Sequence, residues 1–366
     1  MIKKLLLILN IFVALSLLLS YLAPLTSPTV FSLIEFFGLA YPFILGLNFL
    51  FVFIWLFTWK KQIFISLIPV LLGWNQVGKF TQIHLNQKEN LSGDEIKIMS
   101  FNVRVFDLYN WTGNTQTRNK IFSLVKEESA DILCFQEFFY SEQKNYFNTL
   151  DTLLQFQKAK FFHAEYTKTV LDTHHFGIAT FSRFPIIKRG KVEFASMGNN
   201  ICIFSDIKIN NDTIRVYNAH LASLHFAKSD YKFLDEIAQV ETGEQMKGIK
   251  QIYFRIKIAL EKRTRQADAI ALHISNSPYP VIFCGDFNDT PMSYAYATIS
   301  NKLKDAFMES GNGFGTTYIG KFSPFRIDYI LHSKSLGSSG FETIPEELSD
   351  HYPISCNIRL TDETKK

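Results

Sequence analysis

The sequence predicts an α/β fold, a mixed sandwich of strands and helices, preceded by two or three transmembrane helices. Three observations predict it. Uncharged apolar runs dominate the first eighty or so residues. From Glu95 onward, short segments rich in Val, Ile, Phe and Tyr follow one another, as strands require. Helical periodicities separate the earlier segments, and further strands come after.

The elements follow in order. Lys3 and Lys4 precede an uncharged run, Leu5–Pro24, that is long enough to cross a bilayer. It is too long for a signal-peptide core, and a second apolar run follows directly. Phe31–Trp59 carries one charge, Glu35, and ends at Lys60 and Lys61. A third run, Ile63–Trp74, is short: a thin span continuing towards Lys79, a re-entrant piece or an interfacial helix. The predicted membrane region is therefore 1–81, with spans near 5–24, 31–59 and 63–80. Basic residues favour the cytoplasmic side. With Lys3, Lys4, Lys60 and Lys61 inside, three spans make a multi-pass protein with its C-terminal domain on the non-cytoplasmic face. Two spans would leave the domain inside.

Residues 82–94 are polar and read as a linker, leaving 95–366 as one domain. Its strand candidates are IKIMSFNVR, DILCFQE, GIATFSR, ICIFSDIKI, TIRVYNAHL, YPVIFCGDFN, RIDYILHS and PISCNIRL. Helices are expected over Arg118–Glu128 and Gly248–His273. The second repeats Ile252, Ile256, Ala259 and Leu260 at helical spacing. It also carries Arg255, Lys257, Lys262, Arg263 and Arg265, a solvated face or a source of phosphate contacts. Cys134, Cys202, Cys284 and Cys356 all lie in apolar runs without metal-ligand spacing, and read as buried thiols. No glycine-rich nucleotide loop is present. The formal net charge of +4 permits an anionic substrate or a lipid surface without selecting either.

The chemistry gathers at strand ends. VIFCGDFNDTP begins as a buried strand and releases Asp286, Asn288 and Asp289, with Gly285 expected to allow a tight exit. Asn102, Glu137, Tyr217, His220, Asp328, Asp350 and His351 recur in the same setting. A buried carboxylate is costly unless it is paired or metal-bound, and several together point to one shared polar site. Asn and carboxylate oxygens suit Mg²⁺, a hard cation that binds phosphate and keeps its waters. Asp with His supplies a water-activating or charge-stabilising pair. No Ser or Cys has a comparable setting, which favours water as the nucleophile.

In this order SFNVR, CFQE, YNAHL, GDFND, RIDYI and SDHYPI resemble the successive motifs of the endonuclease/exonuclease/phosphatase superfamily, the DNase I-like fold. GIATFSRFPI, with Gly177, Ser182, Arg183 and Pro185, resembles its central structural motif. The resemblance runs from about Ile96 to Leu360 and implies a four-layer α/β sandwich, two packed sheets flanked by helices. It implies Glu137 as the main metal ligand, with Asn102 and Asp350 on the metal side. Mg²⁺ is the implied cofactor and Mn²⁺ its substitute. It implies Asp286 as the carboxylate that activates water and Asn288 as a phosphate contact. His351 would contact the scissile phosphate, oriented by Asp328. His220 would protonate the leaving oxygen or stabilise the phosphate, and Tyr217 would touch phosphate or pack in the core.

The implied enzyme is a metal-dependent phosphoric ester hydrolase: a membrane-anchored phosphodiesterase acting as an endonuclease- or exonuclease-like nuclease. A phospholipid or small phosphoester hydrolase is the alternative, sphingomyelinase- or inositol-phosphatase-like, and a silent tethered binding domain is a third. The expected partners are nucleic acid or a lipid headgroup as substrate and the lipid bilayer through the N-terminal helices. No protein partner is inferred. Tyr109, Trp111 and Phe139 form either an aromatic rim or a cover for the sheet end, and TTYIG is a loop that helps shape the pocket. His174, His175, His225 and Asp230 read as loop positions.

Overall fold

The computed structural model describes residues 2–58, 60–84, 95–143, 146–147, 149–156, 160–194, 198–224, 230, 233, 242–320 and 324–360. Most of the expected linker, and His225, lie outside the described residues. Two compact units are present: 1–72 with 222–267 and 292–295, and 73–221 with 268–291 and 296–366.

In the first unit the helices are Ile2–Ser20 (α1), Leu33–Leu39 (α2), Tyr41–Phe57 (α3) and Ile63–Leu72 (α4). The apolar helix Lys3–Leu25 is long enough to cross a membrane. The second run is not one straight helix. It breaks between α2 and α3, which are bent by 66°. Pro42 explains the break, because it lacks an N–H and fits only the first turn of a new helix. The short third run forms α4. Ten residues of α4 reach about 15 Å, half of a ~30 Å hydrocarbon core.

Polar pairs tie these helices together: Asn48 donates to the Val13 carbonyl at 3.2 Å, and Tyr21 to that of Pro69 at 2.9 Å. Glu35 is buried, and its Oε1 accepts the Tyr294 N–H at 3.0 Å. The long helix predicted from Gly248 runs over Thr242–Ser275. Its Tyr253 stacks on Phe36 with centroids 5.3 Å apart.

In the second unit the strands are Glu95–Asn102 (β1), Ile132–Ser141 (β2), Phe161–Val170 (β3), His174–Ser182 (β4), Ile186–Lys191 (β5), Ile201–Ile209 (β6), Asp212–His220 (β7), Val281–Asp286 (β8), Leu303–Asp305 (β9), Asp328–Ser333 (β10), Leu336–Thr343 (β11) and Ile354–Leu360 (β12), with helix Thr117–Glu128 (α5). They build two six-stranded mixed sheets, ordered β11-β12-β1-β2-β4-β3 and β9-β10-β8-β7-β6-β5. The pairs β1–β2 and β7–β8 are parallel and the other pairs antiparallel.

Alternation along each strand builds the core. Ile96, Ile98, Ile132 and Cys134 of the first sheet cluster with Ile214, Val216, Ile282, Cys284 and Ile330 of the second. The intervening Met99, Phe101, Leu133 and Phe135 turn the other way and pack with Ile121, Phe122 and Val125 of α5. Burying such side chains is worth about 1.5–3 kcal/mol each. All four cysteines are free and buried.

Candidate active site

The inward-facing rows position the site. Each begins apolar and ends polar: Ile98 then Ser100 and Asn102; Ile214 and Val216 then Asn218 and His220; Ile282 and Cys284 then Asp286. Period-two alternation keeps every member of a row on one face, so the rows deliver these polar groups beside one another. Asp286 lies between two strand neighbours, opposite Asp328 on one side and His220 on the other.

Asp286 is the hub. Its Oδ2 accepts from Asn102 Nδ2 at 3.0 Å and from Asn288 Nδ2 at 3.2 Å. It also lies 3.6 Å from His220 Nε2 and 3.7 Å from His351 Nε2. His351 Nδ1 is 2.9 Å from Asp328 Oδ2. Asn102 Nδ2 reaches Glu137 Oε1 at 3.4 Å, and His220 Nε2 lies 3.8 Å from the same oxygen. The structure thus brings Asn102, Glu137, His220, Asp286, Asn288, Asp328 and His351 together. Asp350 is joined through Arg104, whose Nε stands 3.4 Å from its Oδ2.

Local backbone explains two placements. Glu137 sits at a bulge where the β2–β4 register shifts, with φ of 48°, a left-handed value. That kink throws its carboxylate out of the core row. Asn288 has φ of 53° and does not continue the strand. It turns back, so its backbone N–H donates to Asp286 Oδ1 at 2.7 Å. Gly285 is no turn either. It lies within β8, where a Cβ would come 2.5 Å from the Ala219 carbonyl oxygen.

Tyr217 is not brought to the site. It has the opposite strand parity to Asn218 and His220, so it is fully buried on the other face, 2.7 Å from His273 Nδ1. Phe139 is no rim residue, being fully buried against Phe147 and Phe176. His174 and His175 hydrogen-bond locally, to Ser141 at 3.0 Å and Glu142 at 3.1 Å.

Several supporting residues escape a motif reading. Gln136 Nε2 donates to Asn218 Oδ1 at 2.7 Å, and Asn218 Nδ2 donates to the Ala179 carbonyl at 2.9 Å. This buried amide pair joins the two sheets directly beneath the polar cluster. Strand parity could have found Asn218, which shares the His220 row. Tyr318, from the TTYIG loop, sets its ring edge-on to His351 at 5.2 Å. Thr317 Oγ1 accepts the Asp328 N–H at 3.1 Å.

The electrostatics are divided. Burial pushes the Asp286 carboxyl up, partly opposed by His351, while Asp328 adds to the rise and His220 and Asn102 oppose it. Burial works against a charged His351, yet Asp328, Asp286 and Asp350 outweigh it and raise its pKa to about 10. These carboxylates favour the charged form of the ring.

The side chains fit a divalent cation. Ligand atoms of Asp286, Asp328 and His351, all buried, lie within 4.8 Å of one another. Glu137 offers a partly exposed carboxylate beside Asn102. These oxygens suit a hard cation, which would offset the stacked negative charge.

Comparison with known proteins agrees. The sequence model of the Endonuclease/Exonuclease/phosphatase family matches residues 99–351. The chain belongs to that family and is a metal-dependent phosphoric ester hydrolase. A second model, a domain of unknown function (DUF8431), matches residues 3–80. No curated protein matches the chain. Among solved structures, the human Nocturnin catalytic domain with bound sulfate is similar at TM-score 0.51 and 19% identity, over 73% of this chain and 94% of that one. A family protein from Bacteroides thetaiotaomicron gives TM-score 0.53 and 16% identity, over 74% and 99%. One from Beutenbergia cavernae gives 0.51 and 14%, over 73% and 72%. At these identities the likeness is one of fold.

Proposed function

We propose that this protein is a membrane-anchored, Mg²⁺-dependent phosphodiesterase that cleaves nucleic acid with water. The observation that carries the reaction is the buried array Asp328–His351–Asp286, with Glu137 and Asn102 adjoining it. Asp286, ionised, accepts a proton from the attacking water. Asn288 fixes that carboxylate and contacts phosphate. His351, held charged by Asp328, stabilises the phosphoryl oxygens as negative charge develops. His220 gives its proton to the leaving oxygen. Glu137, with Asn102 and Asp350 nearby, would hold Mg²⁺, which neutralises charge on the phosphate.

The N-terminal helices supply the anchor, with α1 one crossing and the bent α2–α3 pair the return. The parity of those crossings leaves the catalytic domain on the side of Lys3 and Lys4. The apolar helices also support the lipid-headgroup reading, since they hold the enzyme near such a substrate.

The test is a hydrolysis panel on the full-length protein: single- and double-stranded DNA, RNA, phospholipids and a bis-aryl phosphodiester, with Mg²⁺ or EDTA. Asp286→Asn is the control. Metal-dependent cleavage of nucleic acid, lost in the variant, is the expected result. Lipid turnover without nucleic-acid cleavage would sink the nuclease reading.

A further inference from the structure

Four consecutive residues that are not glycine, Arg104, Val105, Phe106 and Asp107, have φ of 43°, 49°, 56° and 56°. L-residues avoid this left-handed region, and a run of them persists only where the surroundings hold it. Here the hold comes from two sides. Phe106 is fully buried, with Phe122, Phe135 and Phe138 rings 5.6, 6.0 and 5.7 Å away. The Asp107 carboxylate accepts from the Thr112 backbone N–H at 3.3 Å and from its hydroxyl.

The turn begins two residues after Asn102 and is tied to the catalytic cluster at both ends of Arg104. The Arg104 N–H donates to Asn102 Oδ1 at 3.1 Å, and its Nε faces Asp350 Oδ2 at 3.4 Å. Beyond it the loop presents two aromatic rings. The Arg104 guanidinium lies 4.5 Å from the Trp111 ring centroid, and Tyr109 meets Trp111 edge-on at 5.0 Å. Tyr109 is nevertheless 60% exposed and Trp111 48%.

We propose that Arg104, Tyr109 and Trp111 form a stacking subsite for a nucleobase flanking the scissile phosphate. Exposed aromatic rings layered with a guanidinium are a surface for planar bases, and every base offers a π-face to it. A cation linked to Asp350 fits a ring that carries a phosphate better than it fits an acyl chain. The subsite rests on the nuclease reading above and names which part of the substrate that site grips.

The test uses the full-length chain in detergent, carrying Asp286→Asn and kept in EDTA so that binding is read without turnover. Trp111 emission is isolated by subtracting the signal of the Trp111→Phe form. The titrants are a single-stranded DNA hexamer, the same hexamer without bases, and phosphatidylcholine/phosphatidylglycerol vesicles. The expected result is quenching by the base-bearing hexamer, with Tyr109→Ala weakening its binding roughly tenfold. The baseless hexamer should show no such dependence. Equal binding of both hexamers, or a Trp111 response to vesicles alone, overturns the subsite. Cleavage by the metal-loaded chain separates the two readings. If the hexamer quenches Trp111 but is not cut, the nuclease reading fails and only base stacking survives, without its place beside a scissile phosphate. If it is cut equally well by Trp111→Ala, the subsite fails and the nuclease reading stands.

Discussion

His351 and Asp328 are joined by a 2.9 Å hydrogen bond with both side chains buried, and the far nitrogen of the same ring stands 3.7 Å from Asp286. One imidazole thus lies between two carboxylates. Asp328 orients the ring and favours its charged form, and the charged ring faces the position where phosphoryl oxygens would gain charge. Asp328→Asn keeps the shape and removes the charge. We expect kcat to fall by about 10²–10⁴, the usual weight of a positioned acid–base group. The alkaline limb of the pH–rate profile should move down from about pH 10 towards neutrality. An unmoved limb would show that Asp328 does not set the His351 charge.

The same pair makes stability depend on pH. The folded pKa of His351, about 10, lies above the unfolded value near 6.5. A raised folded pKa contributes stability that is complete below the unfolded value and is lost as pH rises through the folded one. The denaturation midpoint in EDTA should therefore decline between about pH 7 and pH 10. His351→Gln should flatten that slope. Asp286, whose carboxyl is pushed up by burial, contributes in the same sense: its charged form is disfavoured by folding, so its protonated form favours the folded chain and that stability is lost as pH rises.

Much of this site is legible in the sequence because strand parity is a strict rule. Asn102, His220 and Asp286 each end an alternating apolar row, and such rows must share one face. What parity alone does not give is the exit geometry. Glu137 and Asn288 are placed by left-handed residues, and nothing in their residue types announces that. Tyr217 takes the buried face of its strand, a placement that the chemistry of YNAHL does not tell and its strand parity does. In the membrane region apolar length gives the runs but not the bend, which falls just before Pro42.

Glu137 tests the cation side. Its carboxylate is partly exposed, and its nearest neighbours are Asn102 Nδ2 and His220. Replacing it with Gln removes one negative charge while the bulge that aims it remains. Half-maximal activity should then need at least about tenfold more Mg²⁺, with Mn²⁺ partly restoring the rate. A metal titration of both forms reads this directly. An unchanged requirement would move the ion to Asp286, Asp328 and His351.

The membrane reading is tested by parity. Single-cysteine labelling at His84, just after the helical region, should report the same side as a label at the N-terminus. Opposite sides would mean an odd number of crossings, with α4 crossing or the bent pair re-entrant.

Gly285 carries the last prediction. Its missing side chain lets the Ala219 backbone approach so closely that a Cβ would lie 2.5 Å from that carbonyl oxygen. Ala219 and Gly285 are paired residues, and the next pair along the strands is His220 with Asp286. Gly285→Ala must push the two strands apart, and the displacement falls beside the catalytic pair. Overpacking of this kind costs about 1–3 kcal/mol. Misplacing a catalytic group by an ångström can cost about 10²-fold in rate. The folded fraction of Gly285→Ala should survive at low temperature while kcat falls, and denaturation alongside turnover would separate the two effects. Wild-type kcat in this variant would mean that His220 need not stand where it does.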